Sequence, residues 1–146
     1  MLGVGALIIE NGRILLVERG GEPLKGYWSL PGGAVETGER LEAAMRREVR
    51  EETGLEVEVL CLLEIFERIM LDDAGRPEYH YVLMDYLCHP AGGTLCAADD
   101  ASKVAWFAPH ELDCLPITEG TPDVIAKAFA YLDCLSEHGV KPPEAP

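Results

Sequence analysis

One segment of the sequence, Gly33 to Leu55, constrains the fold of this chain more than any other feature. Its central part, residues 40–53, is rich in Leu, Ala, Met, Arg and Glu, which favour a helix. Gly54 stands where a left-handed residue commonly ends one. The preceding residues, 20–38, are dense in Gly and Pro, which is typical of a loop. The segment therefore predicts a glycine-rich loop that leads into a helix.

The predicted helix carries a face that changes from apolar to acidic along its length. At about 100° per residue, its apolar face consists of Leu41, Ala44, Met45 and Val49. Glu48 and Glu52 project from the same face, and Glu51 lies at its edge. Carboxylates at these spacings repel one another, and an ionised carboxylate that faces a protein interior costs several kcal/mol unless it is paired or bound to metal. A positive charge must offset this acidic face.

The residues alone allow two explanations of the acidic face. In the first, Arg46, Arg47 and Arg50 screen it as part of a solvated surface. In the second, its oxygen atoms bind Mg²⁺ or Mn²⁺, hard cations that prefer such ligands. The preceding loop, "LPGGAVETGE", favours the second explanation, because two adjacent glycines let the backbone approach a ligand and a helix start favours anions. Together these features predict a site for phosphate and metal.

The remaining segments predict strands around this helix and a further helix near the C-terminal end. Strands are predicted near 3–10 and 13–18, joined by Asn11-Gly12, a dipeptide typical of two-residue hairpin turns. The other predicted elements are a short strand near Trp28–Leu30, an antiparallel pair at 55–70 and 79–89, a loop over 90–102, a strand at 103–108, a helical turn from Pro109, and a helix with Thr121 as N-cap and Pro122 at N1. The pattern predicts one α+β domain over residues 1–138, with a mixed sheet between helices, and a flexible tail over 139–146.

Charge and cysteine usage exclude several classes of function. The 26 acidic against 12 basic side chains give a formal net charge of −14, which repels a nucleic-acid polymer but allows a small phosphorylated molecule accompanied by divalent cations. An odd number of cysteines without a C-x-x-C pair argues against disulfides and structural zinc and fits a reducing cytoplasm. They are Cys61, Cys88, Cys96, Cys114 and Cys134. With no leader pattern and no apolar run of about 18 residues, we expect a cytoplasmic protein that does not span a membrane.

The segment from Gly33 to Leu55 resembles the Nudix box, the signature of the MutT-type pyrophosphohydrolases called Nudix hydrolases. That signature reads glycine, five residues, glutamate, seven residues, Arg-Glu, an aliphatic residue, any residue, Glu-Glu, any residue, glycine, aliphatic residue. Every fixed place is filled, by Gly33, Glu39, Arg47, Glu48, Val49, Glu51, Glu52, Gly54 and Leu55. The N-terminal hairpin, "YWSLPGG" and "VAWFAPHEL" also resemble the family, so the resemblance spans most of the chain.

The resemblance implies the Nudix fold, an α/β/α sandwich with a mixed β-sheet. It also implies that the chain is an enzyme, one that hydrolyses the diphosphate linkage in a nucleoside diphosphate joined to another group, with Mg²⁺ or Mn²⁺ as cofactor. Carried over by position, the metal ligands would be Glu48, Glu51, Glu52 and the Gly32 carbonyl. Arg47 would hold a glutamate in place, and Glu39 would support the site.

Two roles stay open at this point. The general base is either Glu48 or a carboxylate of another loop, for which Asp99 and Asp100 are the candidates; their alternative role is to cap backbone amides in a solvated turn. Gly33 and Trp28 are the candidate substrate-binding residues, and Trp28 either stacks on a base or packs in the core. The four histidines lack ligand spacing.

The residues that follow the box bear on the substrate. Met70 and Leu71 stand where many ADP-ribose hydrolases of the family carry a proline, and residues 71–73 lack the tyrosine of the dinucleoside-polyphosphate hydrolases. We favour an ADP-ribose-like nucleotide sugar. The alternatives are pyrophosphohydrolysis of an oxidised or ordinary nucleoside triphosphate and a nucleotide-binding sensor without turnover. The partner is thus a small nucleotide, and a homodimer is allowed.

Overall fold

The structure is a computed structural model that describes residues 1–139. Its strands are β1 (Leu2–Glu10), β2 (Arg13–Arg19), β3 (Trp28–Ser29), β4 (Gly32–Ala34), β5 (Leu55–Leu71), β6 (Pro77–Gly93) and β7 (Ala101–Phe107). Its helices are α1 (Leu41–Thr53), a 3₁₀ helix (Pro109–Cys114) and α2 (Thr121–Glu137). Of the predicted tail 139–146, only Gly139 lies within the described residues. None of the helices within the described residues is long and apolar enough to cross a membrane.

The seven strands form one mixed sheet organised around β1. This strand runs parallel to β6 and antiparallel to β4 and β2. β5 extends the sheet as the antiparallel partner of β6, while β3 and β7 both pair with β2. On the side of β1 away from β6, the first half of β1 pairs with the short β4 and its last residues pair with β2. The glycine-rich strand β4 therefore lies at an edge of the sheet, where its backbone can be approached.

Side chains of β1 alternate between two cores on the two faces of the sheet. Ala6 and Ile8 pack with α1, whereas Leu7 and Ile9 pack with α2. This alternation follows from the two-residue period of a strand, which sends neighbouring side chains to opposite faces. Because both faces are covered by a helix, nearly all of β1 is buried and apolar. The predicted α/β/α sandwich with a mixed sheet is confirmed.

Several local predictions are confirmed by the backbone. Asn11 and Gly12 both have positive φ, 52° and 74°, as a type I′ hairpin turn requires. Gly54 ends α1 with φ 76°, and its amide donates a hydrogen bond to the Arg50 carbonyl. The 3₁₀ helix lies where a helical turn was predicted, and the Glu111 side chain accepts a hydrogen bond from the Ala108 amide. Local sequence therefore determined these turns and ends.

Two element boundaries were predicted wrongly. Strand β6 continues to Gly93 because its last residues pair with Leu55 and its neighbours in β5, so the predicted loop 90–102 is shortened to residues 94–100. Thr121 is the first residue of α2 rather than its N-cap, because Gly120 holds the cap position with φ 82°. The Thr121 hydroxyl lies 2.7 Å from the Thr118 hydroxyl instead. The length of β6 depends on its pairing with β5, and the start of α2 depends on Gly120, which lies outside the helix.

Candidate active site

The apolar face of α1 turns acidic in the structure as the sequence predicts. Ala44, Met45 and Val49 are completely buried in the core beneath the helix. One turn further along the same face, Glu52 is 8% exposed, so its carboxylate lies at the border of this core. The Glu48 side chain retains 14% of its exposure and that of Glu51 retains 43%. The three carboxylates among the predicted metal ligands thus form a gradient from buried to exposed rather than a solvated surface patch.

Arg47 connects the carboxylates of the predicted site. Its Nε and Nη2 donate hydrogen bonds to the two carboxylate oxygens of Glu39, at 2.8 and 3.0 Å. Nη1 donates to Glu48 at 2.8 Å and to Glu51 at 3.3 Å, and Nη2 also donates to the Ala34 carbonyl at 3.1 Å. The planar guanidinium can make all these bonds at once because its donors lie in a fixed fork. Contact with Arg47 lowers the pKa of the Glu39 carboxyl, which therefore stays ionised.

Strand β4 lets the Glu48 carboxylate come unusually close to the backbone. A Cβ atom placed on Gly33 would lie 2.5–2.6 Å from the carboxylate atoms of Glu48, a distance that real side chains do not tolerate. The Glu48 carboxylate occupies the space that a side chain at Gly33 would fill, so an alanine at this position would have to displace that carboxylate. Burial raises the pKa of Glu48, while Arg47 opposes that shift. The structure places Gly33 against a predicted metal ligand.

Glu52 is the most perturbed acid of this region. Burial raises its pKa to about 7, and the negative charges of Glu48, Asp100 and Asp99 add to the rise. One backbone donor opposes it, because the Gly32 amide donates a hydrogen bond to Glu52 Oε2 at 3.0 Å. A buried carboxylate surrounded by other carboxylates favours the approach of a cation, which would relieve both burial and repulsion.

Residues 94–100 bring a second acidic pair to the C-terminal end of α1. The amides of Cys96 and Ala98 donate hydrogen bonds to the carbonyls of Thr53 and Glu52, at 2.9 and 3.2 Å. These bonds hold the loop against the helix, and Asp99 and Asp100 follow directly in a turn where Asp99 has φ 56°. Their charges reach Glu52, so the structure brings together the carboxylates predicted on separate segments. These backbone hydrogen bonds could not be predicted from the sequence, because almost every residue has the same backbone amide.

The donor set of this region fits a divalent metal ion, although it does not form a finished cage. Carboxylate oxygens from α1 and from the loop 94–100 are ligands that Mg²⁺ and Mn²⁺ prefer. Within residues 1–139, however, no three His, Cys, Asp or Glu side chains converge closely enough to enclose an ion. Arg47 already binds one oxygen each of Glu48 and Glu51, and the Gly32 amide binds Glu52. The acidic excess, rather than a completed coordination sphere, supports metal binding here.

Glu48, Glu51, Glu52, Asp99 and Asp100 together form an acidic cluster. Several other residues singled out in the sequence lie apart from it. Trp28 is 8% exposed, and its ring packs edge-on against Phe107 with ring centroids 5.0 Å apart, which supports the core-packing role left open by the sequence. All five cysteines are free, as predicted. Only Cys88 is buried, where burial raises its thiol pKa to about 12. The thiol of Cys88 therefore stays protonated.

Comparisons with known proteins agree with this geometry. The model of the NUDIX domain family matches residues 1–128. An ADP-ribose pyrophosphatase of Methanocaldococcus jannaschii is 37% identical over 111 residues, which are 76% of this chain and 63% of that protein. The nucleoside triphosphatase NudI of Salmonella schwarzengrund is 38% identical over 69% of this chain and 75% of its own length.

A solved structure gives the same assignment. The crystal structure of a MutT NUDIX hydrolase from Burkholderia pseudomallei superposes with a TM-score of 0.76 at 34% identity, covering 86% of this chain and 95% of that one. The segment that the NUDIX family model matches, residues 1–128, contains the whole of the glycine loop, α1 and the acidic cluster. The predicted family is therefore confirmed, and this chain belongs to the NUDIX domain family of hydrolases.

Proposed function

We propose that this chain hydrolyses the diphosphate linkage of a nucleoside diphosphate derivative, with an ADP-ribose-like nucleotide sugar as the favoured substrate. The observation that carries the proposal is the buried carboxylate of Glu52, held by the Gly32 amide and surrounded by acidic neighbours. The name of the Methanocaldococcus jannaschii relative supports the substrate class, although this chain spans only 63% of that protein's length. We take residues 1–138 as the domain that carries the activity.

The metal would be held by Glu48, Glu51, Glu52 and the Gly32 carbonyl, with Mg²⁺ or Mn²⁺ as the fitting ions. Such an ion, when bound, neutralises diphosphate oxygens and activates a water for attack on phosphorus. The chain's own groups fix where this happens. Arg47 holds Glu48 and is itself held by both oxygens of Glu39, so the carboxylates keep one arrangement.

The proton of the attacking water must pass to a carboxylate of the chain. Glu48 is one candidate, because burial raises its pKa and so increases its basicity. Asp99 and Asp100 are the others, because the loop 94–100 brings them close enough for their charges to act on Glu52. The glycine loop and α1 contain no Ser or Cys beside a base that could attack phosphorus and form a covalent intermediate. We therefore propose direct attack by water.

Hydrolysis of nucleoside triphosphates is the second candidate function. It is favoured by the NudI relatives, whose printed name is nucleoside triphosphatase. Both candidates use the same acidic cluster and differ only in the group beyond the second phosphate. A nucleotide sensor without turnover is the remaining alternative, and it would bind nucleotides without releasing products.

The test is a panel of ADP-ribose and nucleoside triphosphates incubated with Mg²⁺ or Mn²⁺, followed by product analysis. We expect AMP and ribose 5-phosphate from ADP-ribose, because cleavage falls between the two phosphates. Reaction in ¹⁸O-water would label one product phosphate and identify the attacked atom. Turnover undiminished in EDTA, or inorganic phosphate as the sole phosphorus product, would contradict the proposal.

The matched variants are Glu52→Gln and Glu56→Gln. Glu52→Gln removes the buried charge and should lower kcat by about 100-fold or more while the fold is kept. Glu56 is exposed and bound to Arg50, so Glu56→Gln makes the same chemical change outside the acidic cluster. We expect Glu56→Gln to retain the activity of the unmodified chain, and equal losses in both variants would contradict a special role for Glu52.

A further inference from the structure

A cavity beside the N-terminal end of α1 lies outside the acidic cluster. Its volume is about 520 Å³, within the range of about 300–1,000 Å³ that small-molecule sites occupy. The residues that line it are Glu39, Arg40, Leu41, Glu42, Ala43 and Tyr86. The first five span the start of the helix, and Tyr86 belongs to strand β6, in the core that α1 covers. The mechanism proposed above uses only Glu39 from this set.

The first backbone amides of α1 have no hydrogen-bond acceptor in the protein. Arg40 holds the N-cap position, and its side chain makes no capping hydrogen bond. Arginine has donors only, so it cannot supply the oxygen that Ser, Thr, Asp or Asn provides at this position. In the part of the chain that the structure describes, no group accepts a hydrogen bond from the amides of Leu41, Glu42 or Ala43. These amides therefore remain available to a ligand.

Arg40 also places a positive charge where a helix is already positive. The aligned peptide dipoles give the N-terminal end of a helix a partial positive charge, which favours anions and disfavours cations. Among residues 1–139, no carboxylate forms an ion pair with Arg40. In a chain with a net charge of −14, this end of α1 is a local excess of positive charge.

The two carboxylates that line the cavity do not remove this excess. Both oxygens of Glu39 accept hydrogen bonds from Arg47, at 2.8 and 3.0 Å, so that charge is already neutralised. Glu42 is exposed, so its side chain can turn toward solvent. Arg46 follows Glu42 by four residues, a spacing at which opposite charges on a helix attract each other. Arg40 and Arg46 together therefore outweigh Glu42.

Tyr86 gives an independent indication of a ligand. It is 6% exposed, and its hydroxyl has no hydrogen-bond partner within residues 1–139. No completely buried side-chain oxygen or nitrogen of these residues lacks a partner, so the hydroxyl must reach the surface of the cavity that Tyr86 lines. Burial raises the pKa of this hydroxyl, and the charge of Glu42 adds to the rise, so the hydroxyl keeps its proton. A buried tyrosine usually donates that proton to an acceptor, and here the acceptor must come from the cavity.

We propose that this cavity binds a phosphate group, either as free phosphate or as part of a small phosphomonoester. The amides at the start of α1, the Arg40 guanidinium and the Tyr86 hydroxyl are all donors, whereas a phosphate group offers negative charge and several acceptor oxygens. A cation is disfavoured by Arg40 and by the helix dipole. The site is separate from the acidic cluster and needs no metal, so the inference does not depend on the proposed hydrolysis.

The test is a titration of the metal-free, ¹⁵N-labelled chain with inorganic phosphate, followed by NMR of the backbone amides at constant ionic strength. Without Mg²⁺ the acidic cluster repels phosphate and does not compete. We expect saturable shifts of the amides of Leu41, Glu42 and Ala43, and none at Gly32 or Glu52. The absence of saturable shifts at the start of α1, or the same shifts with NaCl, would overturn the inference.

Ribose 5-phosphate is the second probe, and it distinguishes the two sources of the phosphate group. Tighter binding than that of inorganic phosphate would assign the site to a phosphomonoester, whose sugar would fill the rest of the cavity. Equal affinities would assign it to free phosphate.

The main variant, Arg40→Ser, removes the cation and supplies the N-cap oxygen that α1 lacks. Because the serine hydroxyl would occupy a free amide, we expect phosphate to bind about tenfold more weakly. The matched control is Arg13→Ser, which makes the same change at an exposed arginine of β2 and should leave the affinity within about twofold.

Two further variants change single groups of the cavity. Tyr86→Phe removes only the hydroxyl and should weaken phosphate binding by about three- to tenfold, whereas Tyr131→Phe on α2 should not. Glu42→Gln removes a negative charge from the cavity and should strengthen binding by about two- to fivefold. Unchanged affinity in either Arg40→Ser or Tyr86→Phe would overturn the inference.

Thermal unfolding gives a second readout. The new cap in Arg40→Ser should raise the unfolding midpoint by about 2–4 °C without any ligand. Phosphate should raise the midpoint of the unmodified chain and have little effect on Arg40→Ser, because a ligand stabilises only the chain that binds it. Equal rises in both chains would contradict the site. Neither measurement uses turnover, so this inference and the proposed hydrolysis can fail separately.

Discussion

At the scale of single residues, Arg47 determines how the acidic cluster is arranged. It donates to both oxygens of Glu39 and to one oxygen each of Glu48 and Glu51. Arg47→Lys keeps the charge but loses the planar fork, so fewer of these bonds can form at once. We predict that kcat/KM falls by about 10- to 100-fold in steady-state assays with the preferred nucleotide.

The control for this change lies one turn further along the same helix. Arg50 makes an equally forked pair with Glu56, at 2.6 and 3.0 Å, but both side chains are about half exposed. Exposed pairs contribute little, so Arg50→Lys should leave kcat/KM within about twofold. If both variants lose activity to the same extent, the effect belongs to the helix and not to the acidic cluster.

At the scale of elements, strand β4 and helix α1 approach each other closely at Gly33. The Glu48 carboxylate occupies the space of a Gly33 side chain. Gly33→Ala therefore moves this carboxylate, and a displacement of about 1 Å at a catalytic group can cost about 100-fold in rate. We predict such a loss in kcat/KM, measured together with circular dichroism to show that the fold is kept.

Gly21→Ala is the matched control, because a Cβ at Gly21 meets no atom within 4 Å. The loop that contains Gly21 is exposed, so this variant should keep both activity and stability. Full activity in Gly33→Ala would mean that Glu48 does not need its present position. That result would leave Asp99 or Asp100 as the better candidate for the base.

At the scale of the whole molecule, the net charge of −14 leads us to expect that cation binding raises the free energy of unfolding. A bound ion stabilises the folded chain by RT ln(1 + [L]/Kd), about 1.4 kcal/mol at ten times Kd. For a chain of this size we predict that Mg²⁺ raises the thermal unfolding midpoint by about 3–6 °C in differential scanning calorimetry. Glu52→Gln should lose most of this rise, because it removes the buried charge.

Salt also screens the repulsion among surface carboxylates, so the comparison must be made at constant ionic strength. NaCl matched to the Mg²⁺ solution supplies this control. We expect NaCl to raise the midpoint equally in the unmodified chain and in Glu52→Gln. If NaCl reproduces the whole Mg²⁺ effect, the ion acts by screening and a specific site is contradicted.

The sequence by itself determined the helix α1, its acidic face, the hairpin turn at Asn11-Gly12 and the family. These features follow from local periodicity, from glycine positions and from the long signature between Gly33 and Leu55, all of which are read along the chain. The boundaries of β6 and α2 were predicted wrongly, because local sequence does not determine them. The end of β6 depends on its pairing with β5, and Gly120 rather than Thr121 holds the N-cap position of α2.

Only the tertiary structure decided which groups from distant segments meet. It placed the loop with Asp99 and Asp100 against the end of α1 through backbone hydrogen bonds, and it packed Trp28 in the core against Phe107. It also placed Tyr86 of β6 at the cavity beside the N-terminal end of α1. The physical reason is that burial and charge interactions depend on distances in space, and the pairing of strands far apart in sequence sets those distances.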